Sequence, residues 1–311
     1  GDVYKRQGLD SSARAIFIAK LYREQPGQMV VIEPNAGQSS QLIEDLNHLL
    51  PEVTVLSFPA EESLALEYTT QSLEGVAQRV ETLQALINQE PVIVVSGVAG
   101  LRRRLTPTED WLASQVRLEL GSEIERDQLE AALFQLGYQR ESMVKSPGEF
   151  SIRGSIVDYY PLNSEHPIRL DFFDTELDSI RYFDAESQTS IDNLSDVAIE
   201  PAKDLLFHPE QQLSIQKILQ HELKQAIKKI KEPELAQKLT DHMTQQIEDL
   251  AKGQPLKYAS AFLSYYDREG TSILDYLRPG GTLVVNEFDK VHQLELEMVE
   301  SNQFWLEQET A

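Results

Sequence analysis

The chain has 311 residues, 41% of them hydrophobic, which is enough for a sizeable core and about two or three domains. Its net charge of −23 argues against broad binding to a phosphate backbone, which needs clustered Lys and Arg. With no Cys there are no disulfides, thiolate metal sites or cysteine nucleophiles; without a long apolar run or signal pattern as well, the chain reads as cytoplasmic with no membrane contact.

Residues 1–7 (GDVYKRQ) look unlike the rest of the chain and read as a scar outside the fold. Ser11 or Ser12 then caps a helix running to about Glu24, stopped by Pro26-Gly27. Gln28–Glu33 is a short, almost continuously apolar strand of the kind buried on both faces of a parallel sheet. Next in order come a helix over Ser39–Leu50, a strand over Val53–Phe58, an amphipathic helix carrying Leu73 to Ile87 and the strand VIVVSGV after Pro91. That alternation predicts a doubly wound parallel sheet covered by helices.

Near Gly121 the character changes. A helix over Ile124–Leu136, stopped by Gly137, leads into strand-rich sequence, so 122–203 is expected to be an inserted α+β domain with an antiparallel sheet. Beyond Asp204 two helices are expected, about Pro209–Ile230 and Glu234–Lys252. After Pro279-Gly280-Gly281 comes the strand TLVVNEF. This last strand is of parallel-sheet type, so 8–121 and 204–311 are expected to form one domain in two segments.

The stretch Pro147–Asp184 carries the clearest signal. Alternation in Ile168–Phe173 puts Ile168, Leu170 and Phe172 on one face and Arg169, Asp171 and Phe173 on the other. Arg153 turns away from Phe150 and Ile152, and Arg181 away from Ile180 and Tyr182. An aromatic among arginines is the composition of a protein–protein anchor, and the nearby acids Asp158, Asp171, Asp174, Asp178 and Asp184 also suit a protein partner better than phosphate.

Two further places look chemical. Gly8 is in register with Ala13, Arg14 and Ala15 as a phosphate loop would be, with Ser11 inside it. Ala13 adds a Cβ where backbone must approach phosphate, Arg14 replaces the compact Lys, and Ala15 lacks the hydroxyl that ligates magnesium. A capped helix start is the favoured alternative; a phosphate loop by descent would be a disabled one. LVVNEFD ends a strand in Asn286-Glu287 where ATPases of this layout carry Asp-Glu. The six His show no metal-ligand spacing, no serine nucleophile elbow appears, and the run Arg102–Arg104 reads as a solvated helix face or domain contact.

The string GEFSIRGSIVDYYP…PIRLDFFDTELDSIRYFD…SQTS, with the loop at Gly8–Ala15, the segment RVETLQALINQEPVIVVSGVAGL and LVVNE, resembles the UvrB-like module of bacterial transcription-repair coupling factors. The resemblance runs from about Gly8 to the end. It implies a RecA-like domain in two pieces with a degenerate nucleotide site, and an inserted UvrA-binding domain. The family's UvrA-contacting positions fall on Arg153, Arg169 and Phe173; Arg181 is added from its sheet face. It implies a recruitment module without catalysis or cofactor, with ATP and magnesium belonging to motor domains outside this chain, as do the contacts to RNA polymerase and DNA. The alternative is a UvrB-type damaged-DNA-binding ATPase. Against it stand the broken loop and the segment PAEESLALEYTTQSL, which holds only Tyr68 where UvrB has a tyrosine-rich hairpin.

Overall fold

Short runs of Val, Ile and Leu line up as an all-parallel five-stranded sheet in a computed structural model that describes residues 3–6, 10–60, 72–206, 209–230, 232–251 and 270–297. The strands are β1 (Val3–Arg6), β2 (Met29–Glu33), β3 (Thr54–Phe58), β4 (Val92–Gly97) and, from the far end of the sequence, β13 (Thr282–Asn286). Their order is β1-β13-β2-β4-β3. Every residue of β2 is buried, because β13 and β4 flank it and helices cover the sheet. Helices α1 (Ser11–Glu24), α2 (Ala36–Leu49) and α3 (Leu73–Ile87) supply the connections. Two short helices, α4 (Val98–Arg102) and α5 (Thr108–Ser114), come after β4. Ile18, Leu21, Leu42 and Leu46 pack with Val31, Ile93 and Val284 into one core.

Local chemistry adjusts the expected boundaries. Asp10, not Ser11 or Ser12, caps α1: its Oδ1 accepts from the Ala13 amide at 2.8 Å, and a carboxylate is the stronger acceptor at a helix N-terminus. Asn35 starts α2 three residues earlier than the apolar stripe implied, by accepting from the Gln38 amide. Val3–Arg6, expected to be a scar outside the fold, instead runs as an edge strand parallel to β13, and Tyr4 packs on the core. Gly8 and Tyr68 lie outside the described residues. Arg103 is buried rather than part of a solvated face, and Arg102 pairs with Glu295 at 3.7 Å.

The chain divides into two compact units, Gly1–Thr108 with Thr271–Ala311, and Glu109–Gly270. Composition placed the changes near 121 and 203. They fall further out: β5 (Val116–Glu119), upstream of 121, pairs antiparallel with β12 (Asp196–Ile199), and the two helices beyond Asp204 count with this unit. Between the ends of the β5–β12 ribbon lie α6 (Arg126–Gln135) and a six-stranded sheet: β6 (Gln139–Arg140), β7 (Glu149–Arg153), β8 (Ile156–Tyr159), β9 (Ile168–Phe173), β10 (Glu176–Phe183) and β11 (Ser190–Leu194). It is antiparallel from β7 to β11, as expected; β6 joins β7 parallel. Phe150, Val157, Leu170 and Ile180 on its inner face pack with Leu129 and Leu133 of α6. The helices α7 (Pro209–Lys229) and α8 (Pro233–Ala251) also fall within the second unit. No described helix is long and apolar enough to cross a membrane.

Gly137 follows α6 at φ +93°, and a Cβ there would meet the Lys203 side chain at 2.7 Å. Gly137→Ala is expected to cost about 1 kcal/mol or more, seen as a lower midpoint in urea unfolding of the chain.

Candidate functional site

The pleat of the six-stranded sheet turns one side of β7 to β10 away from the core. Cross-strand register brings Asp158 opposite Arg169, Arg169 opposite Arg181, and Arg153 opposite Ile156, whose other neighbour is Asp171. Arg153, Arg169 and Arg181 thus share the outer face, as alternation implied, and Phe173 ends the β9 row with 79% of its surface exposed. The arginines are not loose. Arg169 donates from Nε to Asp158 Oδ1 at 2.7 Å and from Nη2 to Asp158 Oδ2 at 2.9 Å. The same Nη2 donates to Gln188 Oε1 at 2.8 Å, and the guanidinium carbon lies 4.2 Å from the centre of the Phe183 ring. Its hydrogen bonds to Asp158 hold the Arg169 proton more tightly than usual. Arg153 donates from Nη2 to the same Asp158 Oδ2 at 2.8 Å. Arg181 donates to Ser179 Oγ at 2.7 Å and pairs with Asp171 at 3.5 Å.

Sequence alternation predicts which arginines share the face, and it names Asp158 only as one of several nearby acids. Asp158 as the shared acceptor, Phe183 as the stacking ring and Gln188 as the third acceptor all went unseen. Period-two alternation does place Asp158 on this face. Gln188, in the loop after β10, leaves no such trace.

The second cluster lies at the carboxyl ends of β2 and β13, the edge where open parallel sheets bind ligands. Arg14, on α1 and buried, reaches Glu287 at 3.4 Å and Glu33 at 3.9 Å. Asn286 donates from Nδ2 to Glu33 Oε1 at 2.6 Å, and Gln38 donates to Glu287 Oε2 at 3.0 Å. The fold therefore brings Arg14, Asn286 and Glu287 together. Ala13 and Ala15 stand beside Arg14 on α1, with Ala15 turned into the core; Ser11 is exposed. Burial pushes the Glu33 carboxyl above the ordinary glutamate range, opposed by Asn286 and the Arg14 charge. Glu287 moves the other way, held down first by the Gln38 hydrogen bond, then by Lys290 and Arg14. Among the described residues no group of His, Asp and Glu forms a metal site.

Residues 116–205 match the family described as the UvrB interaction domain, and the match takes in the whole six-stranded sheet and the β5–β12 ribbon. Across 93% of its length the chain is 38% identical to the transcription-repair-coupling factor of Bacillus subtilis (strain 168), and covers 24% of that protein. It is 33% identical to the factor of Staphylococcus aureus (strain MRSA252) over 96% of this chain and 25% of that protein, and 32% identical to that of Staphylococcus epidermidis (strain ATCC 12228) over 93% and 24%. The chain spans about a quarter of the length of these curated relatives.

Glu33 and Glu287 should tilt stability with opposite signs. Between the unfolded-chain value and the raised value of Glu33, the folded state holds a proton that the unfolded state releases, so stability falls as pH rises through that window. Glu287 adds stability above its unfolded value, lost as pH falls through its depressed one. Glu33→Gln is expected to flatten the loss on the alkaline side of about pH 4.5, and Glu287→Gln the loss on the acid side, in thermal unfolding midpoints taken from about pH 3 to 7.

Proposed function

We propose that this chain is a non-catalytic recruitment module of a transcription-repair coupling factor, docking the excision-repair protein UvrA through Phe173 and the arginine row. One observation carries this: a Phe that is 79% exposed stands at the end of a row of ordered guanidinium groups, within the segment matched to the UvrB interaction domain. An aromatic ring left in water on the same sheet face as arginines has the make-up of a binding anchor waiting for its pocket. The row is locally cationic in a chain of net charge −23, so it favours a partner surface with carboxylates around an apolar recess. In this proposal RNA polymerase and DNA are engaged by parts of the longer relatives outside this chain.

The parallel-sheet unit, closed by a strand from the far end of the sequence, is read as a degenerate RecA-like domain. A magnesium nucleotide needs a free cation for phosphate, a hydroxyl at the loop end and a carboxylate on the metal. Here Arg14 is engaged by Glu33 and Glu287, Ala15 offers a methyl group, and Asn286 turns its amide N–H to Glu33. These residues do not fit that ligand, which favours recruitment over a UvrB-type ATPase.

Capture of purified UvrA should weaken about thirtyfold or more for Phe173→Ala and for Arg169→Ala, as for anchors worth about 2 kcal/mol. Phe173→Ala is the cleaner variant because its ring is mostly in solvent. Unchanged capture by both folded variants would sink the docking assignment. Calorimetric titration with Mg-ATP is expected to give no micromolar binding; a clear micromolar isotherm favours the ATPase instead.

A further inference from the structure

We propose that Asp158 is the positioning residue of the docking face: its buried carboxylate fixes the pose of Arg153 and Arg169 together, so that the partner meets a single preset edge of the Arg169 guanidinium. The inference rests on the UvrA-docking reading above and adds to it which atoms are presented and what they select.

The Asp158 side chain is only 1% exposed, yet it lies on the outer face, opposite Arg169 in the register. A buried carboxylate must be fully paired, and this one accepts three N–H donors from two arginines. An arginine has five N–H donors in a rigid fork. Nε of Arg169 spends its one on Asp158 Oδ1, and Nη2 divides its two between Asp158 Oδ2 and Gln188 Oε1. Nη1 has no hydrogen-bond partner among the described residues, and its two donors form the edge left for a partner. The side chain is 12% exposed, in keeping with presentation of one edge rather than a mobile arm.

Two further features hold that pose. The Phe183 ring fixes the plane of the guanidinium from one side. Gln188 takes a positive φ of 60°, a conformation that costs a non-glycine residue energy, and Asp184 pins that turn by accepting from the Ser187 amide at 2.7 Å. Arg153, with 43% of its side chain exposed, is tethered at one nitrogen only and keeps its other donors free. Two arginines sharing one carboxylate leave one net positive charge on the trio. The chemistry that fits is an acidic side chain of the partner, accepting from Arg169 Nη1 and flanked by Arg153. Lysine cannot substitute at 169, because a single ammonium satisfying Asp158 leaves no oriented fork facing out.

The test uses the chain with purified UvrA. Asp158→Asn keeps the shape and removes the charge, and is expected to weaken capture at least about tenfold; in an Arg169→Ala background, where only Arg153 is left for Asp158 to hold, the same change should cost clearly less, about threefold or below. Equal losses in the two backgrounds, or no loss in the first, overturn the proposal. Arg169→Lys keeps the charge and is expected to lose capture as fully as Arg169→Ala, while full capture by it overturns the proposal even if Asp158→Asn does not fold. A readout independent of UvrA is the Arg169 Nε–H signal in a proton–nitrogen correlation spectrum, expected to be sharp and slowly exchanging and to be lost in folded Asp158→Asn. Its persistence there overturns the positioning role. If Phe173→Ala and Arg169→Ala both bind UvrA normally, the docking reading fails on its own, and the Nε–H signal still decides the pose.

Discussion

Strand β13 is the constraint on which the first unit depends. It enters the sheet between β1 and β2, pairing Val284 with Tyr4 on one side and with Val31 on the other, although its sequence lies some 250 residues beyond β2. Without it β2 would present an unpaired row of backbone donors and acceptors next to a fully apolar face, which is untenable for a strand with every residue buried. The sheet therefore closes only after the whole intervening chain has been made. Where the chain departs and returns, Leu105 donates its amide to the Thr271 carbonyl at 2.9 Å, and Tyr276 donates its hydroxyl to the Thr106 carbonyl at 2.6 Å. Exit and re-entry are thus held side by side, which is the condition for inserting a folded unit into a sheet without opening it.

The two clusters of arginine and carboxylate are built from similar groups and end with opposite chemical capacities. At the carboxyl edge of the parallel sheet Arg14 is buried, and its charge is answered by Glu33 and Glu287 from two different strands. Around Arg14 one guanidinium meets two carboxylates, and the exposed Lys290 lies 3.9 Å from Glu287. On the six-stranded sheet the ratio is reversed: Arg153 and Arg169 share Asp158, and positive charge remains. The surplus stands out in a chain whose net charge is −23.

The exposed Phe173 gains its meaning from that setting. A lone exposed apolar side chain is ordinary on a protein surface. Here it terminates a strand whose neighbouring positions are locked by ion pairs and a stacked ring, so little side-chain freedom is left to lose on binding.

The sequence by itself determined the element types and the faces. A continuous apolar run marked β2 as doubly buried, and strict alternation in IRLDFF separated Leu170 from Arg169 because the pleat turns successive side chains to opposite sides. It also showed that Ala15 and Asn286 stand where a hydroxyl and a carboxylate were looked for, which is a matter of residue type alone. Tertiary structure alone decided what touches what. The pairing of Val116–Glu119 with Asp196–Ile199 drew the near edge of the second unit upstream of 121, since strand partners far apart in sequence leave no local signature. The same holds for Gln188, brought to Arg169 by a turn, and for Asp158, whose alternation gave its side of the sheet but not its partners. Periodicity is a property of one strand; a shared carboxylate is a property of three, and only their register brings its donors within 3 Å.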